Sequence, residues 1–188
     1  MVTPYALYLA FLGLLVAERL GELVLSRRNA AWALGQGGVE VGRAHYRVMT
    51  ALHTAFLLAC ALEPVVFHRQ FPGALGWACL GVAGLAQALR YWAISTLGRR
   101  WNTRVIVLPQ AEPVTGGPYR WLRHPNYVAV VLELIAVPLI FGGWLTAVAF
   151  SLANAALLAV RIRVEEQALG PRWQQAFEGR SRFLPRGQ

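Results

Sequence analysis

Five apolar runs separated by arginine-containing segments constrain the fold of this chain more than any other feature. The runs cover roughly residues 5–25, 48–67, 74–94, 127–141 and 144–160. A helix needs about 20 apolar residues to cross the hydrocarbon core of a bilayer, and fewer when arginines at its ends reach the interface. The last two runs are short and meet at Gly142 and Gly143, which favours a tight turn. We therefore predict an all-α integral membrane protein with about five transmembrane helices, the last two forming a helical hairpin.

The composition agrees with a membrane protein and argues against several other classes. Hydrophobic residues make up 56% of the 188 residues and charged residues 14%, whereas soluble domains are about 45–50% apolar. The net charge of +9 would suit nucleic acid, but the arginines flank apolar runs instead of forming a stripe on a polar face. Cys60 and Cys79 have no CxxC spacing, and His45 and His53 have no HExxH pattern. We expect no nucleic-acid partner, no disulfide framework and no metal site.

The arginines also predict which side of the membrane each segment occupies. Fifteen of them lie in the segments that follow the first, third and fifth apolar runs, whereas only Arg69 lies between the second and third runs. Because cytoplasmic segments are enriched in arginine, we expect the N-terminus outside and the C-terminus in the cytoplasm. Five spans require the same arrangement. We expect a bacterial inner (plasma) membrane protein whose arginine-rich segments face the cytoplasm.

The candidate binding segment is GPYRWLRHPNY, residues 117–127, immediately before the fourth apolar run. Gly117 and Pro118 allow a close approach of the backbone to a ligand and then fix the chain direction. Pro125 disfavours helical geometry at His124 and suits the first turn of the following helix. The amide groups at that helix start, with Arg123 and His124, would face an anion such as a carboxylate. The alternative is an interfacial loop whose arginines extend to the lipid headgroups and whose aromatic residues form a belt.

Acidic residues near the last two runs form a second group of candidates. Glu165 and Glu166, in RIRVEEQAL, follow arginines at spacings of four and three residues, which favours a salt-bridged helix face. The alternative is that these carboxylates hold a ligand's hydroxyl groups or its cationic centre. Glu133 lies inside the fourth run, where an ionisable group costs about 2.5–3.5 kcal/mol and indicates a function. The alternative for Glu133 is an ion pair with Arg90 or another arginine.

Taken in order, GPYRWLRHPNY, RVEEQAL and RFLP resemble the isoprenylcysteine carboxyl methyltransferase family of membrane enzymes. RHPNY matches the family's RHPxY signature, RVEEQAL resembles its acidic helix, and GRRWNTRVIV is similar to the segment before the turn, including Asn102. The resemblance covers residues 95–185, and residues 1–94 match only as three N-terminal spans. We therefore expect residues 1–188 to be a single membrane methyltransferase domain, with the cofactor-binding and catalytic half in residues 95–188.

The resemblance implies a cofactor and a site for it. The family uses S-adenosyl-L-methionine, bound on the cytosolic side beneath the RHP segment and the C-terminal acidic helix, while a lipophilic substrate enters from the bilayer between helices. The residues that the resemblance assigns to the cofactor site are Gly117, Pro118, Tyr119, Arg123, His124, Pro125, Tyr127, Glu165, Glu166, Arg180 and Arg182. The candidate catalytic residues are Asn102, Arg104 and Glu133.

The methyl acceptor is a finer question, and the sequence leaves several alternatives. The segment from Arg99 to Tyr127 resembles most the bacterial branch that accompanies type III polyketide synthases and O-methylates alkylpyrones or alkylresorcinols. We expect the chain to act beside such a synthase, with Arg104 holding the acceptor's oxyanion. The first alternative is an isoprenylcysteine carboxylate or another small lipophilic acid, amine or thiol. The second alternative is a sterol-reductase-like enzyme that uses NADPH. The third is a non-enzymatic transporter subunit, which the absence of an inverted repeat in the sequence argues against.

Overall fold

The computed structural model describes residues 3–183 and places each apolar run inside a helix. In this part of the chain the α-helices are α1 (Pro4–Gly35), α2 (Arg43–Val66), α3 (Ala74–Leu97), α4 (Pro125–Leu139) and α5 (Trp144–Ala176). Two strands, β1 (Val39–Val41) and β2 (Val105–Val107), and two 3-10 turns, Gly98–Arg100 and Gly117–Arg120, complete the elements. The end of the RFLP motif, Leu184 and Pro185, lies outside the described residues, as does Arg186.

The outer faces of the helices are apolar, as a lipid environment requires. Two helices, α2 and α5, are long and apolar enough to cross a membrane, and α4 is a shorter apolar helix. Large side chains such as Leu14, Leu85 and Leu152 remain 68%, 71% and 68% exposed. Exposed apolar surface of this extent marks contact with a membrane or with another protein. That all five α-helices cross the membrane stays a prediction.

The inner faces form their main hydrophobic cluster near the N-terminus of α1. Tyr8 stacks on Phe141 at a ring-centroid distance of 5.4 Å and donates a hydrogen bond to the Val137 carbonyl at 3.0 Å. Buried side chains of every α-helix join this cluster, including Phe56 of α2 and Leu134 of α4. The core therefore fixes α4 and α5 against the three preceding helices.

The predicted turn between α4 and α5 is present, and a buried carboxylate reinforces it. Gly142 adopts a φ of 71°, a conformation that glycine reaches without strain. Glu63 of α2 accepts hydrogen bonds from the amides of Leu145 and Thr146 at 3.2 and 2.7 Å. Because the first amides of a helix lack partners within it and carry partial positive charge, a carboxylate there stabilises the helix start. The sequence analysis did not identify this role of Glu63.

A short antiparallel ribbon joins the α1–α2 and α3–α4 connections. The alternating pattern in RVIVLP predicts a strand, but the sequence shows no partner for it. In the structure β2 pairs with β1, with Val39 opposite Val107 and Val41 opposite Val105. The otherwise all-α architecture therefore includes two strands, which lie at the same end of the bundle as the RHP segment.

Gly117 has a structural role that differs from the one the sequence predicts. Its φ is +53°, and a Cβ at this position would lie 2.3 Å from the Thr96 hydroxyl oxygen on α3. Such a distance is far inside van der Waals contact. The close approach that Gly117 allows is therefore to α3, and not to a ligand.

Replacing Gly117 by alanine is expected to destabilise the fold, whereas the same change at Gly116 is tolerated. A Cβ at Gly116 would meet nothing within 4 Å, and its φ is −83°. Gly117→Ala should lower the free energy of unfolding by about 1–3 kcal/mol, because it combines a strained φ with a clash. Thermal unfolding of both detergent-solubilised variants measures the difference. Equal midpoints would show that the turn does not depend on this contact.

Candidate active site

A cavity of about 1040 Å³ lies between the helices and the β1–β2 ribbon. Ligand pockets are about 300–1,000 Å³, so this cavity lies at the upper end of that range. Two groups of polar side chains line it. We call the first the RHP end, which comprises Tyr119, Arg123, His124, Tyr127, Glu165 and Trp173, and the second the deep end, which comprises Arg19, Glu22, His53, Arg90 and Glu133.

Glu166 ties three segments of the chain together behind the RHP end. It accepts hydrogen bonds from Arg182 Nε and Nη2 at 2.9 and 2.6 Å, and its Oε1 lies 3.1 Å from His124 Nε2. The carboxylate hydrogen bond raises the pKa of the Arg182 guanidinium, which stays charged. Glu166 and Arg182 are not on the cavity wall, so they orient His124 instead of facing a ligand.

Tyr127 occupies the centre of a second buried chain of hydrogen bonds. Its hydroxyl accepts from Arg161 Nε at 2.8 Å and donates to Glu165. Arg161 also donates to the Thr103 carbonyl at 2.7 Å, and it is only 5% exposed. The predicted salt-bridged surface face is therefore wrong: Arg161 points inward, and Tyr127 stands between it and Glu165. Of the acidic pair, Glu165 is the residue that lines the cavity.

Aromatic rings form a wall beside these carboxylates. The His124 ring stacks on Tyr127 at 5.2 Å and lies 5.6 Å from Trp173, which in turn stacks on Phe177 at 4.6 Å. Gly170, with a φ of 75°, interrupts α5 ahead of Trp173 and changes the direction of the chain. Aromatic rings in offset stacks suit the face of a planar heterocycle. Trp173 and Phe177 were not predicted.

The C-terminal segment holds the RHP turn in place. The amide of Arg123 donates to the Ser181 carbonyl at 3.0 Å, and Arg123 Nε donates to the Arg180 carbonyl at 2.7 Å. Arg180 donates to the carbonyl of Tyr119 at 2.8 Å, and its guanidinium lies 5.0 Å from the Phe177 ring centroid. Arg180 is therefore a clamp and does not line the cavity.

Of the remaining residues predicted to bind the cofactor, one lines the cavity and the others lie off its wall. Tyr119 lines the cavity, and burial raises the pKa of its hydroxyl, which stays neutral. Pro118 and Pro125 are buried but lie off the wall. Pro125 begins α4 as expected. The amides of Tyr127 and the next residue donate to the His124 carbonyl, which leaves Asn126 as the amide available at this helix start.

Asn126 also supplies an unexpected polar atom. Its Oδ1 is buried and has no hydrogen-bond partner among the described residues, and the side chain lines the cavity. A buried amide oxygen without a partner costs about 1–3 kcal/mol, so a ligand donor at this point would be favourable. The only sequence signal for Asn126 is its place as the variable residue of the RHPxY pattern.

The three candidate catalytic residues line the same cavity in different settings. Asn102 donates to the Ser26 carbonyl at 3.2 Å and accepts from the Ser26 hydroxyl at 2.8 Å, so it anchors the start of β2 to α1. The Arg104 side chain is 37% exposed, lies 3.7 Å from Glu40, and has its guanidinium 5.7 Å from the Tyr46 ring centroid. Arg104 is the only one of these three candidates with a positively charged side chain.

Glu133 is held in an ion-pair network. It accepts from Arg90 Nε at 3.1 Å, from Arg90 Nη2, and from Arg19 Nη2 at 3.3 Å. The ion pair with Arg90 that the sequence offered as the alternative for Glu133 is therefore present. Glu133 lies six positions after Tyr127 on α4, so the RHP end and the deep end lie about 9 Å apart along the helix axis.

Comparison with known proteins gives matches over most of the chain. A model of the isoprenylcysteine carboxyl methyltransferase (ICMT) family matches residues 79–171. The uncharacterized protein YpbQ of Bacillus subtilis (strain 168) is 38% identical over 161 residues, which is 84% of this chain and 94% of that protein. An uncharacterized protein of Haemophilus influenzae is 26% identical over 156 residues, 82% of this chain and 90% of that protein. The protein-S-isoprenylcysteine O-methyltransferase of Schizosaccharomyces pombe is 28% identical over 124 residues, 65% of this chain and 50% of that protein.

Removing the Tyr127 hydroxyl should destabilise the RHP end. In Tyr127→Phe, Arg161 Nε loses its acceptor and Glu165 loses a donor, and both groups lie in a region of low dielectric constant. We expect the free energy of unfolding to fall by about 1–3 kcal/mol. Tyr91→Phe is the matched control, since Tyr91 is 51% exposed on α3. If thermal unfolding in detergent does not distinguish the two variants, the hydrogen-bond chain does not hold this site together.

Proposed function

The chain belongs to the isoprenylcysteine carboxyl methyltransferase family and is a membrane methyltransferase of that type; from this premise we propose that it transfers the methyl group of S-adenosyl-L-methionine to an oxygen of a lipophilic acceptor. The observation that carries the proposal is one cavity whose RHP end is polar and aromatic and whose wall between the RHP end and the deep end is largely apolar. A soluble donor and a membrane-dissolved acceptor need such a boundary in order to meet.

The groups at the RHP end fit the cofactor's chemistry. Glu165 and the unpartnered Asn126 Oδ1 are acceptors for ribose hydroxyls and for amino groups. Arg123 and the Asn126 amide are donors for a carboxylate. Trp173 offers a ring face to a purine. When bound, the cofactor supplies an electrophilic methyl group on a sulfonium ion.

The protein's contribution is then positioning and exclusion of water. Glu166 and Arg182 hold the His124 ring, and Arg161 holds Tyr127, so the polar wall is rigid before any ligand arrives. Apolar side chains, including Leu15, Phe56, Val130, Val137 and Leu158, line much of the remaining cavity. A dry, preorganised site favours a displacement in which opposite charges are neutralised.

For the acceptor, we propose an alkylpyrone or alkylresorcinol that enters from the bilayer. Its enol or phenol oxygen would react as an oxyanion, and Arg104 on the cavity wall would stabilise that charge. The apolar wall suits an alkyl tail. An isoprenylcysteine carboxylate or another small lipophilic acid remains the second candidate, because Arg104 would suit either anion. The family does not favour the NADPH-dependent sterol-reductase alternative.

We also propose that the RHP end faces the cytoplasm of a bacterial inner membrane. The arginine-rich segments after the first, third and fifth apolar runs support this orientation. The same segments carry Arg104, the RHP turn and the C-terminal residues Arg180 and Arg182. This orientation therefore gives the site access to a cytoplasmic cofactor.

Cofactor binding should depend on His124 and Glu165. His124→Ala and Glu165→Ala are each expected to weaken binding of S-adenosylhomocysteine by about tenfold or more, because each removes a polar contact in a buried site. Calorimetry on the detergent-purified protein measures the affinity, and NADPH should not bind.

Glu178→Ala is the control for that experiment, since this glutamate is exposed and lies away from the cavity. Unchanged affinity in both His124→Ala and Glu165→Ala, in samples that unfold at the wild-type temperature, would reject the site assignment.

Acceptor turnover should depend on Arg104. Arg104→Ala is expected to lower kcat/KM for the acceptor by about tenfold or more while S-adenosylhomocysteine affinity stays constant. Arg43→Ala is a matched control, because Arg43 also pairs with Glu40, at 3.1 Å, but does not line the cavity. An assay of labelled methyl transfer to a panel of alkylresorcinols, alkylpyrones and N-acetyl-S-farnesylcysteine separates the acceptor classes. If Arg104→Ala matches Arg43→Ala for every acceptor, Arg104 has no part in holding the anion.

A further inference from the structure

The deep end of the cavity holds a charge cluster that the cofactor site does not use. Residues of α1, α3 and α4 form it: Glu18, Arg19, Glu22, Arg90 and Glu133. Three carboxylates therefore face two guanidinium groups, which leaves one negative charge in excess when all of them are ionised. Gln87 adds hydrogen bonds to Arg19 and Glu18.

The partners of each oxygen show where this cluster is incomplete. Both oxygens of Glu133 accept from arginines. Glu22 Oε2 accepts from Arg19 Nη1 at 2.8 Å and lies 3.8 Å from Arg90 Nη1. Glu22 Oε1 is buried and has no hydrogen-bond partner among residues 3–183. Glu22 is only 9% exposed and lies on the cavity wall, so this oxygen lacks a donor at the edge of the cavity.

His53 adds a second acceptor to the same wall. Its Nδ1 lies 2.9 Å from the Met49 carbonyl oxygen, which can only accept. Nδ1 therefore carries the proton, and Nε2 of the neutral ring is an acceptor. Arg19 and Arg90 are already bonded to carboxylates. The deep end thus presents two acceptors, Glu22 Oε1 and His53 Nε2, beside guanidinium groups that are already paired with carboxylates.

We propose that Glu22 binds a neutral hydroxyl group of the methyl acceptor through its Oε1. The inference rests on the proposed function and narrows the acceptor class. A hydroxyl donor would complete the unpartnered oxygen, whereas a carboxylate at this end would add a charge to a cluster that already has an excess of negative charge. The structure therefore favours an alkylated dihydroxyarene, with one hydroxyl to be methylated and the other bound by Glu22, over an isoprenylcysteine-type acid as the acceptor.

The test compares a probe that has two hydroxyl donors with its dimethyl ether, which has none and carries two more methyl groups. Wild-type protein in lipid nanodiscs, saturated with S-adenosylhomocysteine, is titrated with 5-pentadecylresorcinol and with its dimethyl ether, and tryptophan fluorescence reports binding. We expect the resorcinol to bind about tenfold or more tightly than the ether, since a charge-assisted hydrogen bond is lost in the ether. In Glu22→Gln the ratio should fall below about threefold, because the amide oxygen is a weaker acceptor.

Glu18→Gln is the matched control, since it removes the same charge from the same helix but leaves Glu22 Oε1 unchanged. Its ratio of affinities should stay at the wild-type value. The proposal is overturned if the wild type binds both probes equally or binds neither, or if Glu22→Gln keeps the full ratio. It is also overturned if Glu18→Gln loses the ratio as fully as Glu22→Gln, since the net charge would then be responsible. S-adenosylhomocysteine affinity in the same samples tests the proposed function separately, because its loss in the wild type would contradict that function and not the role of Glu22.

Discussion

The contact between Glu166, His124 and Arg182 is the interaction on which the site depends. It joins the turn before α4, the C-terminal half of α5 and the C-terminal segment. A buried carboxylate is costly unless it is paired, so the pairing of Glu166 favours the assembly of these segments as one unit. Glu166 therefore acts as a structural partner, and its neighbour Glu165 is left to face the cavity. Two consecutive glutamates thus have different functions.

The same requirement acts at the other end of the cavity. Glu133, Arg90 and Arg19 satisfy one another across three helices, which allows charged groups at a depth where an isolated one would be costly. The cavity between the two clusters combines a polar, aromatic end with a largely apolar wall. This division matches a reaction between a nucleotide-like donor and a membrane-dissolved acceptor, and each ligand would meet groups suited to its own chemistry.

Much of the fold could be predicted from the sequence because the signals are local. Each apolar run lies within a helix, and the turn at Gly142 is where the glycine pair predicts it. The motif resemblance assigned Glu165 and His124 to the cofactor site, and both line the cavity. The rest depends on contacts between distant segments, which composition and spacing do not encode. These include the partner of β2, the capping of α5 by Glu63, the inward direction of Arg161 and the contact of Gly117 with α3. The apparent salt-bridge spacing of Arg161 and Glu165 was misleading, because Tyr127 enters from another helix and separates them.

Photo-crosslinking tests the central claim most directly. Purified protein in lipid nanodiscs is irradiated with S-adenosyl-L-methionine labelled in its methyl group, and the labelled peptides are identified by mass spectrometry. The account predicts saturable labelling of residues 119–127 or 165–177, which S-adenosylhomocysteine abolishes. Labelling confined to the opposite end of the bundle, around the second pocket lined by Tyr5, His68 and Phe71, would contradict it. So would the absence of any labelling that S-adenosylhomocysteine can displace.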